Sequence, residues 1–338
     1  MLADNHCTCP ALPRRQAPFC RSHATIFRMN SNPDLNGDRP FSELVPAHSR
    51  LPTIGIVGAG RVGGALARAL SEYGYPIAAV YSRSEPFAAT LAAAVNARQV
   101  DSAAAVVDHA QLIILTVSDA AIRDVAAQLA TRDLAGRAVI HTSGATAISA
   151  LDAARARGAA VGGLHPVWPV ANGDRPLPAG GVFGVEAAET WLRDWLDTLV
   201  IALGGKAFWL PAGLDRVYYH AATVLLSNYL VTLYSEAAAL WAEIGIDAEA
   251  IQAGLIGLTR ATVENLAHVS PEAALTGPIV RGDADTVRDH LTAFDQSDPE
   301  LAAAYRALGQ LTLRLARTRG LSAERIRALN NALSDALD

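Results

Sequence analysis

The stretch from Thr53 to Gly64, TIGIVGAGRVGG, carries the clearest chemistry in the chain. Gly58-Ala59-Gly60-Arg61-Val62-Gly63 is a full G-x-G-x-x-G, placed after a short apolar run, Thr53 to Val57, and before an Ala- and Leu-rich helical run, Val62 to Leu70. Strand, glycine turn and helix in that order form a cradle for a dinucleotide pyrophosphate. Gly58 makes the tight turn, Gly60 lets phosphate approach the backbone, and Gly63 lets the helix pack against the strand. The free N–H groups and the dipole of the helix N-terminus then attract the anion. The bland alternative is a glycine-rich turn in a sheet that binds nothing.

A second signal lies about twenty residues on, where an NAD-binding fold places Asp or Glu against the ribose 2′-hydroxyl. The strand Ile77 to Tyr81 ends instead in Ser82-Arg83-Ser84, with no acid before Glu85. Hydroxyls and a guanidinium suit a 2′-phosphate, so the pattern points to NADP(H), with Arg61 adding positive charge in the turn. The alternative is that Arg83 is a solvated loop cation. Two more strand ends offer polar groups. Leu112 to Val117 runs into Ser118-Asp119, with Val117 and Ser118 expected at the cofactor and Asp119 as a helix N-cap. Ala138 to His141 ends in Thr142-Ser143-Gly144, where Ser143 faces either nicotinamide and substrate or only its own capped turn. The strand Val161 to Leu164 ends in His165, at the same edge as Ser143.

The remaining candidates lie further along. His220, Ser227 and Asn228 sit within a nearly uncharged run from Val217 to Leu233. His220 and Ser227 are seven residues apart and share a helix face, with Asn228 close to it. Polar groups there need partners, either one another or a substrate cleft. Arg281 and Asp283, in the Gly/Pro loop Ala274 to Asp283, suit a substrate carboxylate or simply fix their turn. His290, seven residues on, is either solvated or part of that cluster.

These residues need a frame, and the periodicity predicts one. Further strands are expected at Gln99–Val100, Val182 to Val185 and Ala207 to Leu210, and intervening helices at Pro86 to Val95, Ser102 to Ala110, Ala120 to Ala130, Ala147 to Arg157 and Ala187 to Leu203. This is an α/β Rossmann domain with a mostly parallel, doubly wound sheet over residues 51–211. An all-α domain over 212–338 follows, for substrate and dimerisation. Its first long helix, Leu214 to Gly245, reads as apolar all round, hence buried in a core or a dimer interface. Helices are also expected at Ile246 to Gly257, Leu258 to Leu266, Thr286 to Phe294, Leu301 to Arg319 and Ala323 to Leu337.

Composition narrows the class. With 338 residues, 51% of them hydrophobic, the chain can build about two cores. A net charge of -5 argues against nucleic-acid binding, and no apolar run approaches the roughly twenty residues of a membrane helix. The three cysteines, Cys7, Cys9 and Cys20, lie within residues 1–50, which read as a disordered tail. Cys7-Thr8-Cys9 with His6 and His23 fits no standard zinc spacing, so no metal is expected. The arginines of this segment faintly resemble a transit peptide, and Met29 is an alternative start. A cytoplasmic setting is expected from the cysteine usage.

Five motifs together resemble one family: the glycine turn, HTSGA at His141 to Ala145, GLHPV at Gly163 to Val167, YHAATVLLSNYL at Tyr219 to Leu230, and LTGPIVRGD at Leu275 to Asp283. It is the bacterial Rossmann-like family provisionally labelled NADP oxidoreductases, with a C-terminal helical domain of unknown function. It is similar to pyrroline-5-carboxylate reductase and to the 6-phosphogluconate and β-hydroxyacid dehydrogenases. The resemblance implies an NADP domain, a C-terminal domain of the 6-phosphogluconate dehydrogenase C-terminal-like type, and a homodimer built by the helices. Better-known relatives carry a Lys and an Asn four residues apart on the first long C-terminal helix, and this chain has no Lys there. The implied activity is NADPH-dependent reduction of a C=O or C=N in a small acid: a 2-oxo acid such as ketopantoate, or a cyclic imine. His220 would be the proton donor, Ser227 and Asn228 would orient the carbonyl, and Arg281 would clamp the carboxylate. The missing Lys motivates the alternative of an NADP(H)-binding sensor or interaction protein without turnover.

Overall fold

A computed structural model describes residues 51–177 and 180–334. The expectations for residues 1–50 lie outside the described residues. The elements below belong to one unit, Pro52–Asp338.

Eight strands form a single sheet: β1 (Ile54–Val57), β2 (Ile77–Tyr81), β3 (Arg98–Gln99), β4 (Leu112–Leu115), β5 (Ala138–His141), β6 (Ala160–Pro166), β7 (Val182–Ala187) and β8 (Lys206–Trp209). Their spatial order is β3-β2-β1-β4-β5-β6-β7-β8. All neighbours pair in parallel except β6 and β7, which run antiparallel. Each residue of β1, β4 and β5 is buried, because helices cover both faces of a parallel sheet and leave no solvated side. On one face Ile113, Leu115, Val139 and Val161 pack against Val106, Ile122 and Leu129 from the covering helices. The order reverses beside β1, between β2 and β4, and this is where a crevice opens at the carboxyl ends of strands.

The crevice depends on α1 (Arg61–Glu72), whose Gly63 lies against the chain at Gly58. Gly58 has φ +111°, a conformation that glycine adopts without strain. A Cβ on Gly63 would overlap the Gly58 carbonyl oxygen, so no side chain fits.

The helices after β8 correct several expectations. The predicted run from Leu214 to Gly245 is two helices, α7 (Arg216–Leu226) and α8 (Asn228–Glu243), divided at Ser227 (φ -106°, ψ -68°). The break falls at a Ser-Asn pair, residue types that favour helix ends over helix interiors. This run is also not buried in the chain's own core. Of α7 only Arg216 is buried, and of α8 no residue is. Conversely, the two helices expected at Ile246 to Gly257 and Leu258 to Leu266 are one, α9 (Ala248–His268), N-capped by Asp247. The Gly/Pro loop contains a short helix, α11 (Pro278–Arg281), preceded by α10 (Pro271–Ala274). Helices α12 (Ala284–Ser297), α13 (Pro299–Thr318) and α14 (Ala323–Ser334) share a second core of Val287, Leu291, Leu313, Leu329 and Leu333. Asp119 is not the cap expected of it. It opens a 3-10 turn, Asp119–Ala121, whose N-cap residue is Ser118.

Two glycines give opposite predictions. Gly63→Ala should cost about 1–3 kcal/mol through overpacking. Gly257→Ala, in α9 with no atom within 4 Å of the added methyl, should gain about 1 kcal/mol of helix stability. Urea midpoints measure both, and a neutral Gly63→Ala would remove the close approach of α1 and β1 as a constraint.

Candidate functional site

The crevice holds a cavity of about 360 Å³ lined by Gly58, Ala59 and Gly60 from the turn, Ser82 and Arg83 from the end of β2, and Val117 and Ser118 beyond β4. Seven of the expected cofactor residues therefore meet around one space. Nothing lies within 4 Å of where a Cβ on Gly60 would stand, so this backbone faces open room. Asp124 of α4 (Ile122–Leu129), not a residue at the end of β2, supplies the carboxylate lining this cavity. Arg61 lines an adjoining cavity of about 400 Å³ with Gly64, Arg68 and the loop residues Asn172 and Gly173. Arg68 Nε donates to the Gly173 carbonyl (3.3 Å), which ties that loop to α1. Val62, Gly63 and Ser84 line neither cavity: Val62 and Gly63 lie in the first turn of α1, and Ser84 is the N-cap residue of α2 (Glu85–Ala94).

Thr116 is a contributor the sequence reading missed. Its Oγ1 donates to the Gly58 carbonyl (2.6 Å) and so locks the end of β4 to the glycine turn. A hydroxyl directly after an apolar strand was the available signal.

Two strands away, the ends of β5 and β6 meet α7. Ser143 is buried, and its Oγ accepts from the backbone N–H groups of Ala145 (3.2 Å) and Thr146 (2.9 Å) while donating to the Thr146 hydroxyl (3.0 Å). Its hydroxyl thus builds the turn. His141 is fully buried, and its Nδ1 accepts the Ser143 N–H (3.2 Å). His165 packs on that turn, with ring atoms 2.8 Å from where a Cβ on Gly144 would stand. Its Nδ1 lies 2.7 Å from Tyr219 Oη. Arg216 of α7 is 8% exposed and forms an ion pair with Glu186 of β7. It anchors the start of α7 to the sheet and stands 5.8 Å from the Tyr219 ring centroid. Arg216, Tyr219 and His220 fall at intervals of three and four, one helix face. That spacing was the signal that could have marked Arg216 and Tyr219 alongside His220.

Burial lowers His141 to about 4, helped by the Arg216 charge, and lowers His165 to about 4, helped by the His220 and Arg216 charges. Both rings are therefore neutral near pH 7. Tyr219 is raised by burial and stays protonated.

His220 lines a cavity of about 550 Å³ between the turn at Ala145 and α7, with Val217, Val224 and Tyr229. Ser227 and Asn228, expected beside it, do not line this cavity, since the break at Ser227 ends the shared face. Arg281 and Asp283 also lie elsewhere. Asp283 N-caps α12, accepting from Thr286 N–H (3.1 Å) and Thr286 Oγ1 (2.7 Å), and those bonds hold its carboxyl below the usual range, with smaller help from Arg281 and His290. The Arg281 carbonyl accepts from Arg325 (3.2 Å), and His290 Nδ1 lies 2.8 Å from Tyr305 Oη. These groups are held by contacts among the terminal helices.

Comparison with known proteins agrees with this layout. A model of Rossmann-like domains matches residues 35–166, and one for a domain of unknown function, DUF2520, matches residues 181–312. The chain thus pairs a Rossmann-like domain with a DUF2520 domain. No curated protein matches the Rossmann-like/DUF2520 chain by sequence. A Bacteroides fragilis structure provisionally labelled an NADP oxidoreductase is similar at 24% identity and TM-score 0.67, over 78% of this chain and 98% of that one. A reductive aminase from Aspergillus terreus, in complex with NADPH and ethyl-5-oxohexanoate, is similar at 21% identity and TM-score 0.53, over 84% and 93%. Pyrroline-5-carboxylate reductase from Coxiella burnetii is similar at 13% identity and TM-score 0.53, over 85% and 100%. At these identities the likeness is one of fold. Among the described residues no helix is long and apolar enough to cross a membrane.

The two neutral histidines make stability depend on pH. A free imidazole takes its proton near pH 6.5, whereas these rings do so only near 4 in the fold. Between those values the unfolded chain binds protons that the fold excludes, so stability falls as pH drops from about 6.5 towards 4, by up to a few kcal/mol. Urea midpoints across this window should show the slope, and His141→Asn should flatten it. An unchanged slope would place its source elsewhere.

Proposed function

We propose that this Rossmann-like/DUF2520 protein is an NADPH-dependent reductase of a C=O or C=N in a small substrate. A 2-oxo acid, ketopantoate among them, and a cyclic imine are the first candidates. The observation that carries the reading is the crevice itself: an open glycine backbone at Gly60 faces Ser82 and Arg83, at a strand end without a carboxylate. Gly58, Ala59 and Gly60 suit the pyrophosphate, and Ser82 and Arg83 the 2′-phosphate. The bound cofactor would supply the hydride. His220, on its cavity beside the β5 turn, is the candidate proton donor, and His165 is the candidate hydrogen-bond donor that orients the reacting atom. The similar structures named for NADP, for reductive amination and for pyrroline-5-carboxylate support this reaction class. In this reading residues 51–211 bind the cofactor and 212–338 complete the substrate side. The carboxylate-clamp role expected of Arg281 is not part of it, because Arg281 sits among the terminal helices.

The same reading includes a homodimer. Val217, Tyr218 and Leu226 are 75%, 78% and 80% exposed, and no Asp, Glu, Lys or Arg occurs between Arg216 and Glu236. An uncharged apolar face of this length suits a self-complementary contact with a second copy.

Calorimetric titration with NADPH, NADP, NADH and NAD tests the cofactor. NADPH should bind, and Arg83→Ala should weaken it by roughly 10–100-fold, the loss of one charge-assisted contact, while NADH affinity stays the same. Absence of binding by all four would overturn the reading. NADPH binding without oxidation by a broad panel of keto acids and imines would favour the alternative without turnover, to which the lack of Lys in α7 points. For the dimer, Leu226→Arg should lower the sedimenting mass from two chains to one, and an unchanged mass would exclude that face.

A further inference from the structure

His165 and Tyr219 are 54 residues apart in sequence, yet their side chains join the sheet to α7, as the Arg216–Glu186 pair does. Their rings meet edge to face, centroids 5.5 Å apart. The tyrosine hydroxyl also presses on Gly184 of β7, directly across from His165 in the β6–β7 register, where any Cβ would overlap it. That side of the hydroxyl is therefore closed. Among the described residues His165 Nδ1 is its one hydrogen-bond partner, and His165 Nε2 has none.

A phenol must place its own proton. If Nδ1 carried the ring hydrogen it would donate to Oη, and the phenol hydrogen would then lack an acceptor among these residues. With the hydrogen on Nε2, the phenol donates to Nδ1 and both groups are satisfied. The bond at one ring nitrogen thus decides which nitrogen carries the proton.

We infer that Tyr219 is a positioning residue that fixes His165 in its Nε2–H tautomer, so that the ring presents one N–H donor at the carboxyl edge of the sheet. The charged and titratable groups acting on His165 are consistent with a ring that stays uncharged. His220 and Arg216 oppose its protonation and Asp119 opposes them more weakly, with burial the largest influence of all. Under the reductase reading, on which this use rests, His165 would hold a carbonyl oxygen or imine nitrogen as a neutral donor.

Two-bond ¹H–¹⁵N correlation spectra of histidine-labelled full-length protein separate protonated from bare ring nitrogens and need neither substrate nor cofactor. The outcome therefore stands apart from success or failure of the reductase reading. His165→Asn assigns the signal by its loss. From about pH 6 to 8 the wild type should show His165 with a bare Nδ1 and a protonated Nε2. Tyr219→Phe, which keeps the ring and removes the hydroxyl, should bring in a substantial Nδ1–H fraction. An Nδ1–H or cationic His165 in the wild type would overturn the inference even if the variant failed to fold. An unchanged tautomer in folded Tyr219→Phe would overturn it as well.

Discussion

The carboxyl edge of the sheet is organised by how closely α1 approaches β1. Gly63 lies against Gly58, Thr116 Oγ1 bonds the Gly58 carbonyl, and a side chain at Gly63 would push these apart. Three elements, β1, α1 and β4, are thereby fixed at one point, and the N-terminus of α1 is aimed across the crevice. The free N–H groups of that helix end are useful to an anion only if they are held in place with backbone exposed beside them. Gly60 meets the second condition because nothing stands in front of it. The same turn has one glycine required by crowding and another facing empty space, and the two demands come from packing and from ligand access respectively.

The other half of the site is held by a different kind of contact. Two polar contacts tie α7 to the sheet, Arg216 to Glu186 and Tyr219 to His165, beside a tilted ring contact of Tyr219 with Phe208 of β8. A largely buried ion pair is weak evidence of net stability, since desolvation offsets much of the attraction, but it is specific about geometry. Removing either partner would strand a charge. The pair sets where α7 begins, and the next turn of helix then puts Tyr219 on the sheet and His220 at the neighbouring cavity. The Arg216 charge also helps to keep His141 and His165 uncharged.

Much of this was legible in the sequence, and the limits have physical causes. All eight strands stand within a residue or two of where the sequence puts them, and for β1, β4 and β5 the reason is that a buried parallel strand must be apolar whatever surrounds it. That the glycine turn, Ser82 and Arg83 line one crevice was legible too, because strand ends and turns are set by local pattern. The helical half was less so. Apolar periodicity marks a face that avoids water but not what covers it, so the run from Val217 onward was read as buried in a core or a dimer interface, and the chain's own core is not what covers it. Nor does apolar spacing show where a helical run breaks, as it does at Ser227. The pairs that build the α7 side, His165 with Tyr219 and Glu186 with Arg216, bring together residues 54 and 30 apart in sequence. No local pattern encodes such a meeting. Arg281 and Asp283 had the right chemistry for a ligand, but their roles in turn and cap follow from the fold of the terminal helices.

The exposed face of α7 and the His220 cavity are parts of one surface. Val217 and Tyr229 line the cavity, yet they are 75% and 54% exposed and belong to the apolar stripe that continues through Leu226. Any body that covers the stripe must also roof the cavity. A second copy would do so without bringing charge, because the stripe has no acidic or basic side chain other than His220. Excluding water there strengthens every electrostatic interaction inside, including those of His220 with whatever it faces. Association and chemistry would then be linked through a wall they share, and a change at Leu226, which does not line the cavity, would act on the cavity through its roof.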